Sequence, residues 1–174
     1  MKKFVIGTGI LLFGTLLMAG GNASSDLPRV MDIPAQSCKT DRVYIEEDVE
    51  LMWQDQAYTD TEDGAYNRGH SAAKAGNWKH AENYCRRLYY QGYSDWKLPT
   101  SDELQHVHRK HGQVFTYHRT RDFWSSTPAA KGRHFVVYPV DAYRYSHQTR
   151  RSNYIRCVRC LHKGDTETGP APVK

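Results

Sequence analysis

The sequence predicts an α+β fold in which two helices pack on small antiparallel sheets and disulfides staple the domain. The first observation is the stretch GYSDWKLPTSDEL at residues 92–104, where one helix ends, a short extended segment follows and a second helix begins. Trp96 and Leu98 lie two residues apart, as on a half-buried strand. Thr100 and Glu103 have the spacing of a capping box. The other two observations are a series of short apolar segments and the presence of four cysteines.

Two helices are predicted on either side of this extended segment. Asn77 is a suitable N-cap for the first helix, and its buried face has apolar residues at three- and four-residue spacing. These residues are Trp78, Ala81, Cys85 and Leu88. The second helix follows Thr100, turns Leu104, Val107 and His111 to one side, and is expected to end near Gly112.

The remaining apolar segments predict short strands. They lie at residues 42–45, 49–53, 114–117, 123–126, 134–138, 143–147 and 154–159. The fifth and sixth form a hairpin that turns at residues 139–142. Residues 54–76 are polar and lack apolar periodicity, which predicts a long surface loop that is either functional or only tolerated. The four tryptophans are predicted to lie in the core.

The N-terminus resembles an export signal. Lys2 and Lys3 precede an apolar run at residues 4–18, and small residues follow. This pattern predicts a signal peptide over residues 1–23, with an uncleaved anchor as the alternative. A lead-in at residues 24–41, one domain at 42–160 and a disordered tail at 161–174 complete the predicted organisation. No membrane span is expected after cleavage.

The charge of the exported part is mildly basic. Of the 24 Lys and Arg residues two lie in the signal peptide, so 22 remain against 19 acidic residues and the net charge is +3. This balance permits an anionic partner without demanding one. The chain has no nucleic-acid-binding motif and is predicted to be exported, so no nucleic-acid partner is expected.

The four cysteines predict two disulfides, because the chain is small and exported. Cys38, Cys85, Cys157 and Cys160 allow three connectivities. A bridge between Cys157 and Cys160 is disfavoured, since residues three apart on a strand point to opposite faces. A redox-active pair at these two positions is disfavoured as well, because reactive pairs usually begin a helix.

Several segments together resemble a known bacterial family. AENYCRRLYYQGYSDWKLPTSDEL, FWSST at 123–127, YIRCVR at 154–159 and LMWQD at 51–55 are similar to the domain named after the C-terminal part of the Legionella collagen-like adhesin. The resemblance implies a C-type-lectin-like fold, related to that of formylglycine-generating enzymes. It also implies that Cys85 pairs with Cys157. In that fold the first and last strands run antiparallel beside each other, which implies that Cys38 pairs with Cys160.

A basic, tyrosine-rich segment is the predicted binding site. Arginine offers fork-shaped donors for sulfate, phosphate or carboxylate, and tyrosine adds rigid amphipathic surface. The residues are Arg133, His134, Tyr138, Tyr143, Arg144, Tyr145, His147, Arg150 and Arg151. The family resemblance, through an adhesin domain linked to sulfated polysaccharides, points to the same function. We therefore expect a non-catalytic domain that binds an anionic polysaccharide or an envelope protein, although packed tyrosines and solvated arginines would also explain the pattern.

Other functions have less support in the sequence. A structural component of a surface machine, docking through residues 54–76, is the main alternative. A formylglycine-generating enzyme needs two thiols, and all four cysteines here have structural assignments. His106, His108, His111 and His118 cluster near the second helix, but no further zinc ligand is identified. The calcium-dependent sugar motifs of lectins do not occur. We expect no cofactor and no metal.

Overall fold

In the computed structural model, which describes residues 41–162 and 164–165, the chain forms eight strands and three α-helices, and a short 3-10 helix (Glu47–Val49) joins the first two strands. The strands are β1 (Asp41–Glu46), β2 (Leu51–Gln56), β3 (Ala75–Gly76), β4 (Phe123–Ala130), β5 (Arg133–Tyr138), β6 (Tyr143–Gln148), β7 (Asn153–Tyr154) and β8 (Val158–Cys160). The helices are α1 (Asp60–Arg68), α2 (Trp78–Arg87) and α3 (Ser101–Arg109). The predicted α+β class is confirmed.

The strands form two sheets. In the smaller sheet the order is β1-β2-β8 and both pairings are antiparallel. In the larger sheet the order is β3-β7-β4-β5-β6. All its pairings are antiparallel except that of β4 with β7, where Phe123 lies opposite Tyr154 in a parallel bridge. The predicted hairpin at 134–147 is confirmed as β5 and β6.

Strand β2 connects two hydrophobic clusters because its side chains alternate between its two faces. Leu51 and Trp53 pack in one cluster, together with Phe123. Met52 points to the other cluster, which contains Trp124. The predicted core positions of the tryptophans are confirmed for Trp53, Trp96 and Trp124, while Trp78 is only partly buried at the edge of the second cluster.

The stretch at 92–104 is bonded to the last strand of the domain. The capping box is present, with Glu103 N–H donating to Thr100 Oγ1 and Thr100 N–H donating to the Glu103 carboxylate. The extended segment is not a full strand: Lys97 forms a single antiparallel bridge with Val158 of β8. Arg159 adds two hydrogen bonds to Asp95, at 2.7 and 3.0 Å. The last strand is therefore tied to this stretch by its backbone and by a buried arginine.

The prediction of a surface loop at residues 54–76 is wrong. The segment contains the end of β2, helix α1 and β3, and it packs against the core. A second capping box starts α1, between Thr59 and Glu62. Glu62 is buried and pairs with the buried Lys74 at 2.8 Å. Apolar periodicity is absent because α1 buries only Glu62 and Ala65.

The predicted Cys85–Cys157 disulfide is confirmed, whereas the strand arrangement expected to bring Cys38 to Cys160 is not found. Cys85 of α2 bonds to Cys157, both fully buried, with their Cα atoms 5.4 Å apart. Cys38 lies outside the described residues, so its pairing stays a prediction. The predicted geometry had the first and last strands adjacent and antiparallel, whereas β2 separates β1 from β8. Cys160 is exposed and unpaired among the described residues.

Two further sequence predictions, a strand at 114–117 and the end of the second helix, are corrected by the structure. Residues 114–117 form no strand: the backbone N–H groups of Thr116 and Tyr117 donate to the Asp55 carboxylate instead, at 2.8 and 2.9 Å. Helix α3 ends at Arg109, before Gly112, and leaves His111 exposed. At the start of the predicted tail, Asp165 accepts a hydrogen bond from Arg159 at 2.6 Å, while the disorder expected for residues 161–174 stays a prediction.

The ends of the chain fall largely outside this structure. The predicted signal peptide, almost all of the lead-in and most of the tail lie outside the described residues. Within the described part of the chain, no helix combines the length and the apolar character that crossing a membrane requires.

Candidate functional site

The β5–β6 hairpin divides the predicted site residues between two faces. In the register His134 lies opposite His147 and Tyr138 lies opposite Tyr143. Side chains alternate along each strand, so these four residues share one face with Tyr145. Arg133 and Arg144 belong to the opposite face.

A cleft, here called the tyrosine cleft, opens on the first of these faces. It comprises two overlapping cavities of about 590 and 640 Å³ that share Tyr66, Arg121, Asp122 and Tyr145. The other tyrosines in its walls are Tyr138 and Tyr143. The cleft also includes Asp141, His147, Arg151 and Asn153. Five of the nine predicted site residues, Tyr138, Tyr143, Tyr145, His147 and Arg151, therefore lie together.

Helix α1 supplies one wall of the tyrosine cleft through Tyr66. The Tyr66 ring stacks on Tyr154 with a centroid distance of 4.7 Å and an interplanar angle of 4°. Tyr154 donates its hydroxyl to Asp63 at 2.6 Å, and Arg119 donates two hydrogen bonds to the same carboxylate. The hydrogen bonds from Arg119 hold the pKa of Asp63 below its ordinary value. This chain of contacts fixes the wall before any ligand arrives.

The floor of the tyrosine cleft is polar and incompletely hydrogen-bonded. Asp122 is 7% exposed and Asn153 is 1% exposed. Asp122 Oδ1 and Asn153 Nδ2 have no hydrogen-bond partner among the described residues, while Asn153 Oδ1 contacts His147 Nδ1 at 3.1 Å. Burial, followed by a hydrogen bond to Asp122, raises the pKa of Tyr145.

A second depression, here called the basic groove, runs along the loop between β6 and β7. Two cavities of about 280 and 430 Å³ share Thr149 and Arg150. The residues that give the groove its character are Lys79, Lys131, Arg133, His134 and Arg150, and none of the described residues that line either cavity is a carboxylate. The Trp78 ring stacks on His134 with centroids 3.8 Å apart. The loop is held by hydrogen bonds from Thr149 N–H to Gly132 O and from Trp78 N–H to Thr149 O.

The four predicted residues that do not line the tyrosine cleft lie elsewhere on the domain. Arg133, His134 and Arg150 line the basic groove. Arg144 belongs to neither depression: it donates to Asp102 at 2.7 Å and lies over the Phe135 ring. Sequence reasoning missed Tyr66, Arg121, Asp122 and Asn153 as cleft residues. The only signal for Tyr66 was the Thr59–Glu62 capping box, which places it on a helix.

The histidines near α3 do not form a common site. His106 contacts Glu46 at 2.8 Å, and these two with Asp48 form the one grouping of potential metal ligands found among the described residues. Lys110 Nζ lies 2.8 Å from Asp48 and 3.4 Å from Glu46, so an ammonium group already offsets part of the carboxylate charge. His108 instead packs between Phe115 and Phe123, and burial lowers its pKa to about 3.

Comparison with known families covers most of the described domain. The chain matches none of the curated proteins with which it was compared. The profile of the Lcl C-terminal domain family matches residues 43–159, more than half of the 174 residues. The matched range runs from β1 into β8 and contains both the tyrosine cleft and the basic groove. The chain therefore belongs to the Lcl C-terminal domain family.

Proposed function

We propose that this protein is a non-catalytic binding domain that holds an anionic glycan in the basic groove. The observation that carries the proposal is the lining of the groove, which presents several cations and no carboxylate. Lys131 and Arg150 are exposed and form no ion pair with a described residue. Their charges are thus available to sulfate or carboxylate groups on a polysaccharide.

The rest of the groove supports the same ligand class. Arg133 is partly buried and donates to Ser146 Oγ at 2.9 Å, which holds its guanidinium beside the groove. The Trp78 and His134 pair adds a flat aromatic surface next to the cations. Lys79 is paired with Glu82 at 2.7 Å, so we assign it a smaller contribution. A scaffold that is already ordered loses little entropy on binding.

The proposed location is the periplasm or the cell surface. A buried disulfide between Cys85 and Cys157 is compatible with an exported protein, because structural disulfides persist in oxidising compartments. The predicted signal peptide supports export as well. Docking through residues 54–76 as a separate element loses support, since α1 and β3 pack into the domain itself.

Retention on heparin tests the proposal. The wild type should bind a heparin column and elute with moderate salt, because salt screens exposed charges. The variant Lys131→Ala/Arg150→Ala should elute clearly earlier. The matched control is Arg86→Ala/Arg87→Ala, which removes the same charge from the exposed end of α2.

Two results would contradict the proposal. One is a wild type that flows through the column. The other is an equal shift for both double variants, because that would reflect net charge alone. Capture of an envelope protein that salt does not weaken, and that the Lys131 and Arg150 changes do not affect, would favour a protein partner instead.

A further inference from the structure

The lining of the tyrosine cleft contains charges of both signs in equal number. Arg121 and Arg151 lie in its lining together with Asp122 and Asp141. A cationic ligand would meet two guanidinium groups, and an anionic ligand would meet two carboxylates. The balance favours a ligand without net charge, unlike the basic groove.

The floor of the cleft contains a hydrogen-bond acceptor and a hydrogen-bond donor that no described residue satisfies. Asp122 immediately precedes Phe123, and Asn153 immediately precedes Tyr154, and those two residues form the parallel bridge between β4 and β7. Asp122 and Asn153 are therefore neighbours at one end of this pairing. Among the described residues, Asp122 Oδ1 and Asn153 Nδ2 have no hydrogen-bond partner, so the pair offers one acceptor and one donor.

Leaving a buried polar group unpaired is costly, so a ligand that pairs with both groups gains by removing that cost. A hydroxyl group both donates and accepts hydrogen bonds, and thus matches the pair.

The walls of the cleft are aromatic. The Tyr143 and Tyr145 rings lie side by side with centroids 5.8 Å apart and an interplanar angle of 27°, and Tyr143 is 62% exposed. Tyr66 forms another wall and is fixed by its stacking on Tyr154. A cavity of about 590 Å³ is within the range of small-ligand sites. Flat rings around a polar floor suit a ligand with an apolar face and a hydroxylated edge.

We propose that the tyrosine cleft binds a neutral saccharide ring, whose C–H face lies against the tyrosines and whose hydroxyl groups meet Asp122 and Asn153. Asp122 and Asn153 are buried, so binding requires side chains of the cleft lining to move aside. This site uses different residues from the basic groove and does not depend on the anionic-glycan function.

Titration with the methyl glycosides of glucose, galactose, mannose and N-acetylglucosamine, followed by amide NMR spectra, tests the site. At least one glycoside should cause saturable shifts around Asn67, Asp122 and Asn153, with millimolar affinity, which corresponds to about −4 kcal/mol. Tyr143→Ala should weaken that affinity about tenfold, a difference of about 1.4 kcal/mol. Tyr89→Ala is the control, because Tyr89 is equally exposed at 68% and lies outside the cleft.

A second variant separates binding from folding. Asp122→Asn keeps the shape of the side chain but replaces one oxygen by a donor, so affinity for the same glycoside should fall while the spectrum stays folded. The proposal is overturned if none of the four glycosides gives saturable shifts at the cleft. It is also overturned if tetramethylammonium or sulfate binds there instead, or if Tyr89→Ala weakens binding as much as Tyr143→Ala. Unchanged heparin retention in Tyr143→Ala would show that the groove acts separately.

Discussion

Replacing His108 by leucine should make the domain less sensitive to acid. His108 packs against Phe115 and Phe123, and its Nε2 has no hydrogen-bond partner among the described residues. Burial, with a smaller contribution from the Arg156 guanidinium, lowers its pKa from 6.5 to about 3. The folded domain thus holds a neutral imidazole at pH values where the unfolded chain holds a charged one.

The sign and size of the effect follow from this difference in pKa. Between pH 6.5 and about 3 the unfolded state binds a proton that the folded state does not bind, so the stability from this group is full above pH 6.5 and is lost as the pH falls. Each pH unit in this window removes about 1.4 kcal/mol. At about pH 4.5 the loss from His108 is therefore about 3 kcal/mol relative to neutral pH.

Urea unfolding at about pH 7.5 and pH 4.5 measures the effect as a change in the free energy of unfolding. The wild type loses stability from His108, from His134 and His147, whose pKa values burial also lowers, and from its paired carboxylates, whereas His108→Leu lacks only the His108 part. The loss in His108→Leu should therefore be smaller by about 3 kcal/mol. His111→Gln, which changes an exposed histidine, is the control and should follow the wild type. Equal losses in the wild type and in His108→Leu would refute the assignment of a buried neutral imidazole.

Three other changes test the contacts that hold the fold. Replacing Cys85 and Cys157 by alanine should cost about 4 kcal/mol in the chain-entropy model, since 72 residues separate them; a stability in denaturant equal to that of the wild type would be inconsistent with this bond. Glu62→Ala leaves Lys74 buried without its partner and should cost about 3–5 kcal/mol, and a loss below about 1 kcal/mol in thermal unfolding would mean that the pair is exposed. Arg159→Lys keeps the charge but cannot form the bidentate contact with the Asp95 carboxylate. The free energy of unfolding in urea should therefore fall by about 1–3 kcal/mol; an unchanged midpoint would argue against that contact.

Local signals in the sequence predicted much of the scaffold. The Thr100–Glu103 capping box and the Asn77 cap mark the starts of α3 and α2 correctly, because a cap depends on residues within one turn. The β5–β6 hairpin is predicted by alternation over a few residues. The Cys85–Cys157 bond followed from the family resemblance, since pairing over a long separation is not encoded locally.

The candidate site was harder to predict because long-range register assembles it. Asp122 and Asn153 become neighbours only through the parallel bridge of β4 with β7, and Tyr66 reaches the cleft on a helix that lacks an apolar stripe. Arg144 was grouped with Tyr143 and Tyr145, although alternation along a strand places it on the opposite face. A Thr-x-x-Glu pattern at residues 59–62 was present in the sequence and predicts α1, even though that helix buries a charge instead of an apolar face.

Lysine footprinting in the presence of heparin tests the central claim, that an anionic glycan lies in the basic groove, most directly. Heparin should protect Lys131 from acetylation strongly, because this residue is exposed in the groove. Lys97, which pairs with Glu103 outside the groove, should react at the same rate with and without heparin. Equal protection of both lysines, or protection of Lys97 alone, would contradict the assignment of the groove as the glycan-binding surface.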